Sequence, residues 1–159
     1  MKDTSEYLLD YADAEFDGDS WNGDSLMKTL AAITPEEAFD TRTKEGYSAW
    51  SVAVHLAYYK HFVAKAFLGE GAVGPFPWEV GKHEFGLPIA VNAEAWAALL
   101  AYLVRFHRLA VAAIRAASPE RLAETRPGSK TSLGELAGWY LSHDSYHIGQ
   151  IRSMGTPGI

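Results

Sequence analysis

The sequence predicts an all-α protein, a four-helix bundle whose helices run up, down, down, up. Three observations carry that expectation. Apolar residues recur at spacings of three and four through several long stretches, and no stretch shows the strict alternation of a half-buried strand. The helical stretches open on capping residues and close on glycine or proline. One long segment, residues 69–91, is rich in glycine and proline and is far longer than a hairpin between antiparallel helices needs.

The elements follow in order. Residues before Trp21 are an acidic arm or an extra amphipathic helix, "SEYLLDYADAEF". Asp24 or Ser25 can cap a first core helix, "SLMKTLAAI", and Thr34-Pro35-Glu36-Glu37 opens a short turn with a cap, then proline, then acid. A second helix starts at the cap Ser48 and stops at Gly69, with Val52, His55, Leu56, Tyr59, Phe62, Val63 and Ala66 along its apolar stripe. A third opens at Asn92 and runs to about Ala117, before Ser118-Pro119, burying Trp96, Leu99, Leu103, Phe106, Ala110 and Ala113. A fourth begins at a capping box, Ser132 with Glu135. It carries Leu133, Leu136, Tyr140, His143, His147, Gln150 and Met154 on one seam to its end at Met154. No repeat and no second domain is visible, so 1–159 reads as one domain.

Extended at about 3.3 Å per residue, segment 69–91 reaches roughly 75 Å, while a 20-residue helix is about 30 Å long. It can therefore return the chain along the bundle and make helices two and three parallel. Helices two and four are then antiparallel. His55 lies about 10 Å from the start of helix two and His147 about 10 Å from the end of helix four, with His143 one turn deeper. His143 and His147, four apart, share a helix face. Three imidazoles thus meet at one depth, a set that suits a divalent ion with at least one position left open. Each histidine taken singly also suits a hydrogen-bonded core position. Protons compete for imidazole near its ordinary pKa of about 6.5, so metal affinity is expected to weaken as pH falls through about 6.

The remaining chemistry-bearing residues sort around that site. Tyr59, Tyr140 and Gln150 share the histidine-bearing stripes and are candidates for a pocket wall, with packing as the alternative for the tyrosines. Asp144 follows His143 as Glu follows His in H-E-x-x-H, but is one methylene shorter. It is expected on the surface or in a hydrogen bond to a ligand rather than as a general base. His61 falls off the stripe, His83 sits in the long loop, and His107 stands between Arg105 and Arg108 on an expected solvated side, so all three read as non-ligands. Gly134 and Gly138 each cost about 1 kcal/mol within a helix, so they imply close backbone packing inside the bundle or across a dimer. Trp50 and Trp78 are core or pocket lining.

Composition narrows the partners. The net charge is −6, with Asp3, Glu6, Asp10, Asp13, Glu15, Asp17, Asp19 and Asp24 near the start, a surface that repels nucleic acid. There is no cysteine, which fits a reducing cytoplasm and leaves imidazole, carboxylate and water as metal ligands. The beginning of the chain lacks the pattern of a signal peptide, and the longest uncharged apolar run, "AWAALLAYLV", is about half a membrane crossing. The expectation is a cytoplasmic protein acting on a small molecule, without nucleic acid or membrane, and able to form a homodimer.

Beyond these readings, "GYSAWSVAVHLAYYKHFV" with "HDSYHIGQIRSM" downstream resembles the DinB/YfiT-like family, and "SWNGDSLMKTLAAITPEEAF" is similar to that family's first helix and connection. The resemblance covers nearly the whole chain. It implies an up-down-down-up bundle, a divalent metal on His55, His143 and His147, and thiol-dependent chemistry such as transfer of a low-molecular-weight thiol onto an electrophile. Zinc, nickel and iron all suit three imidazoles. The same site suits a hydrolase that activates water, or a non-catalytic metal-binding or small-ligand-binding stress protein.

Overall fold

The computed structural model describes residues 2–155, and these residues form α-helices and short turns. The helices are α1 (Thr4–Asp17), α2 (Leu26–Ala31), α3 (Pro35–Phe39), α4 (Ala49–Leu68), α5 (Glu70–Val73), α6 (Ala93–Arg115), α7 (Pro119–Ala123) and α8 (Leu133–Ser153). Among the described residues the only β-type pairs are two isolated bridges, Val80 with Gly86 and Thr125 with Ser132. The chain is all-α.

The caps explain the boundaries. Ser48 accepts from the Ser51 amide, Asn92 from the Ala95 amide, and Ser132 with Glu135 forms a reciprocal box, each satisfying amides that a helix start leaves unpaired. Gly69 ends α4 at φ 89°, a left-handed backbone that a side chain would strain. Helix α6 stops at Arg115, and Pro119 opens the short α7, which the sequence pattern does not reveal.

The N-terminal region corrects the expected element lengths. Residues 4–17 are not an arm: Asp3 caps a 14-residue helix that buries Leu9, Ala12 and Phe16. The expected first core helix shrinks to the six residues of α2. Ser25 stands at its cap position, but its buried hydroxyl makes no hydrogen bond.

The buried apolar residues form two clusters. One takes Trp50 to Ala57 of α4, Trp96, Leu99 and Leu103 of α6, and Ile148 and Ile151 of α8. The other takes Val63 and Ala64 of α4, Phe106 to Ile114 of α6, and Leu133 to Tyr140 of α8. Near the break between the clusters the three helices bury polar groups: Lys60 and His61 on α4, His107 on α6, and Asp144 and His147 on α8. Trp50 packs on Trp96 at 4.7 Å between ring centroids, so it is core, and Trp78 packs edge-on against Tyr102 at 4.8 Å. Helix α6 is long and apolar enough by composition to cross a membrane; Trp96, Leu99, Leu103 and Phe106 on it are buried inside the protein.

Segment 69–91 is more ordered than a plain loop. After α5 it folds back through the Val80–Gly86 bridge and a single turn at Lys82–Glu84. Gly86 is required there, because a Cβ would meet Val54 Cγ1 at 2.5 Å and the Glu79 carbonyl at 2.8 Å. That contact pins the segment to α4 one residue before His55.

Candidate metal centre

His55, His143 and His147 come together, with one ring nitrogen from each lying within 4.8 Å of the others. Helix α4 presents His55, and successive turns of α8 present the pair. Ring centroids are 5.2 Å apart for His55 and His143, 4.8 Å for His55 and His147, and 4.5 Å for His143 and His147.

Hydrogen bonds set the tautomers. His55 Nδ1 lies 2.8 Å from the backbone carbonyl of His83, which can only accept, so Nδ1 carries the proton and Nε2 keeps its lone pair. His147 Nδ1 donates in the same way to Gln150 Oε1 at 2.6 Å. Gln150 is held in turn, its Nε2 donating to Glu45 at 2.8 Å and to the Tyr47 hydroxyl. Such outer partners orient metal-binding imidazoles.

The donor set fits a metal ion. The lone pair of His147 Nε2 faces His143 Nε2 at 3.0 Å. Two nitrogens each about 2.0–2.1 Å from one ion, at angles of about 90–110°, are about 2.8–3.4 Å apart. The imidazoles are also neutral, and a shift of the His143 proton from Nε2 to Nδ1 turns its Nε2 lone pair toward an ion. Burial lowers the pKa of all three, His143 to about 3 and His147 to about 4, and each is lowered further by its histidine neighbours. Burial thus sets the competition with protons below the ordinary imidazole range, toward about pH 4 at His147 and about pH 3 at His143.

A cavity of about 210 Å³ opens beside the cluster, lined by His55 and His143 with Tyr59, Val63, Leu136, Trp139 and Tyr140. Of the three expected wall residues, Tyr59 and Tyr140 line it, and Gln150 instead orients His147. Tyr59 directs its hydroxyl to Glu84 at 3.4 Å, and Tyr140 shares a hydrogen bond with His107 Nδ1 at 3.1 Å.

Two placements need correction. Asp144 is neither at the surface nor bonded to a ligand: it is buried, and both of its oxygens accept from Lys60 Nζ at 2.7 and 2.8 Å. Burial pushes Lys60 below the usual lysine pKa while the Asp144 carboxylate opposes it. His107 is not solvated. Helix α1 covers it, with Phe16 stacked on the ring at 3.8 Å and Asp13 bonded to Nε2 at 3.0 Å, while Arg108 turns outward to Asp13 and Asp17.

Neither His61 nor His83 joins the cluster. His61, off the main stripe, is buried against Tyr102 at 2.6 Å. His83 contributes only its backbone, at φ 60°, with Glu84 likewise at 58°. This pair of left-handed residues and Phe85, whose ring stacks on His55 at 4.9 Å, were not expected from the sequence; Gly86 was the only local signal. Gly134 admits α7, whose Leu122 carbonyl would lie 3.2 Å from an added Cβ, while Gly138 has open space.

The comparisons agree with this architecture. The model of the DinB superfamily matches residues 20–151, from just after α1 through nearly all of α8 and so across all three histidines. No curated protein and no solved structure matches the chain. With a match over most of its length, the chain belongs to the DinB superfamily.

Proposed function

We propose that the protein is a metal-dependent enzyme that joins a small thiol to an electrophile, with a divalent ion on His55, His143 and His147. The observation that carries it is the convergence of three neutral imidazoles beside an open cavity, two of them with Nδ1 committed elsewhere. An ion held there supplies a Lewis-acid centre that keeps a thiol as thiolate. The protein's part is to hold the rings, through the His83 carbonyl and Gln150, and to give the cavity an apolar wall of Val63, Leu136 and Trp139.

The apolar wall favours transfer over hydrolysis. Asp144, the residue an H-E-x-x-H comparison would make a general base, is committed to Lys60. Tyr59, whose pKa burial and Glu84 raise, stays a neutral phenol in the cavity wall, its hydroxyl directed to Glu84.

The reading includes an up-down-down-up bundle of α1, α4, α6 and α8 in one domain. Contact pairs support it. Trp50 meets Trp96 and Lys60 meets His107, which suits parallel α4 and α6. His55 meets His147 while Tyr140 and Leu136 lie beside Val63, which suits antiparallel α4 and α8. Asp10 meets Arg115 and Asp17 meets Arg108, which suits antiparallel α1 and α6. We also propose a small-molecule substrate and a cytoplasmic setting, from the acidic charge and the absence of cysteine.

The test is to load the purified protein with zinc, nickel or iron and supply a small thiol with an activated aryl chloride. In the expected reaction a C–S bond forms, the C–Cl bond breaks, and the thiol proton passes to solvent. The rate should exceed the uncatalysed one and vanish in His143→Ala. Loaded protein with no such rate, but with ester hydrolysis lost in His143→Ala, would replace the transfer reading.

A further inference from the structure

Away from the histidine cluster, a cavity of about 600 Å³ lies between the second half of α4, the segment after α5 and the turn at Arg126 and Pro127. It shares no lining residue with the cavity at His55 and His143. Its walls are aromatic: Phe76 stands edge-on to Tyr58 at 5.4 Å and to His61 at 5.5 Å, and Phe62 carries the Arg126 guanidinium at 4.8 Å. That size and lining are typical of a small-molecule site.

Its one carboxylate, Glu70, is already taken. Lys65 is neutralised by Glu70 at 2.9 Å. Arg126 pairs with no carboxylate among the described residues; its Nε is buried without a partner, and Nη2 reaches only Ser129 at 3.4 Å. One positive charge is therefore left over, held in place by its stack on Phe62. His61 adds a second donor. The Tyr102 hydroxyl lies 2.6 Å from His61 Nδ1, its one hydrogen-bond partner among the described residues, and donates its proton there. The neutral His61 ring then carries its own proton on Nε2, which no acceptor among the described residues takes up.

We propose that this cavity is a second ligand site, for a small aromatic monocarboxylate. The flat body fits between Tyr58, Phe62 and Phe76, and the carboxylate supplies the acceptor and the single negative charge that Arg126 and His61 lack. A planar guanidinium matches a carboxylate in a way a lysine does not. A neutral aromatic would leave the cation unpaired, and a carboxylate without a ring would leave the walls uncovered.

Calorimetric titration of the full chain with benzoate, benzamide and acetate tests this, alongside the shift of the His61 ring Cε1–H resonance. Benzoate should bind one per chain and move the His61 resonance with the same constant, with benzamide and acetate at least about tenfold weaker. Arg126→Gln should lose at least about tenfold in benzoate affinity while taking up metal like the parent. If Arg126→Gln does not fold, the benzoate and benzamide titrations of the parent still decide. Absence of a His61 shift up to about 10 mM benzoate, a concentration that covers weak affinities, would overturn the proposal. So would equal binding of benzamide, or benzoate binding that persists in Arg126→Gln and disappears with chelator, which would put the carboxylate at the histidine site.

Discussion

His55 and the backbone carbonyl of His83 are joined at 2.8 Å across 28 positions of sequence, and the residue that makes the joint possible is Gly86, wedged against Val54. The left-handed turn at His83 and Glu84 aims that carbonyl at the imidazole.

Gly86→Ala should therefore damage a site it does not touch. Overpacking at Val54 and Glu79 costs about 1–3 kcal/mol. Displacing the carbonyl from His55 should weaken metal binding about 10–100-fold. Ile114→Val, a core change at the far cluster costing about 0.5–1.5 kcal/mol, is the control and should leave affinity alone. Equal affinities for both variants would break the link between loop and histidine.

Gln150→Leu removes the acceptor of His147 Nδ1–H and leaves the ring free to change tautomer. Metal affinity should drop about 10–100-fold with the fold intact by circular dichroism. A parent-like affinity would mean that Gln150 serves only Glu45 and Tyr47.

Lys60 and Asp144 form an ion pair in which the lysine is 1% exposed. Lys60→Met strands a buried carboxylate beside His107 and should cost about 3–5 kcal/mol in urea unfolding. Lys60→Met with Asp144→Leu removes both charges and should recover most of that loss. A single variant within about 1 kcal/mol of the parent would contradict the burial of the pair.

The sign of the pH dependence follows from the lowered histidine values. Unfolded imidazoles take up protons near pH 6.5, and the folded ones resist until about 4 for His147 and about 3 for His143. Between those limits the unfolded state binds more protons. Stability of the metal-free protein is thus full above about pH 6.5 and falls as pH drops toward about 4. Melting curves in chelator should show this decline, while metal affinity should fall less than about tenfold between about pH 7.5 and about pH 5.5. A tenfold loss of affinity over that interval would show that the rings titrate near their ordinary pKa.

Much of this was legible in the sequence, and the rest was hidden for identifiable reasons. Caps at Ser48, Asn92 and Ser132 mark α4, α6 and α8 because the first amides of a helix need acceptors. The convergence of His55, His143 and His147 followed from a four-residue spacing and a depth match. Helix α1 was ambiguous because Tyr7, Leu8 and Tyr11 remain exposed, which blurs its apolar stripe. His107 was misplaced because its arginine neighbours suggested solvent, whereas Phe16 of α1 stacks on its ring and Lys60 and Tyr140 meet its Nδ1. Asp144 meets Lys60 across 84 positions, a pairing that no local pattern encodes. The His83 carbonyl acts through backbone, which residue identity does not report.

The most direct measurement is metal content and titration of protein purified without chelator and without a histidine tag, set beside His55→Ala and His143→Ala. The parent should carry or take up about one divalent ion per chain, as three imidazoles on one open site require. Each variant should lose it, with the helix content unchanged. If both variants bind the ion as tightly as the parent, the three histidines are not its ligands.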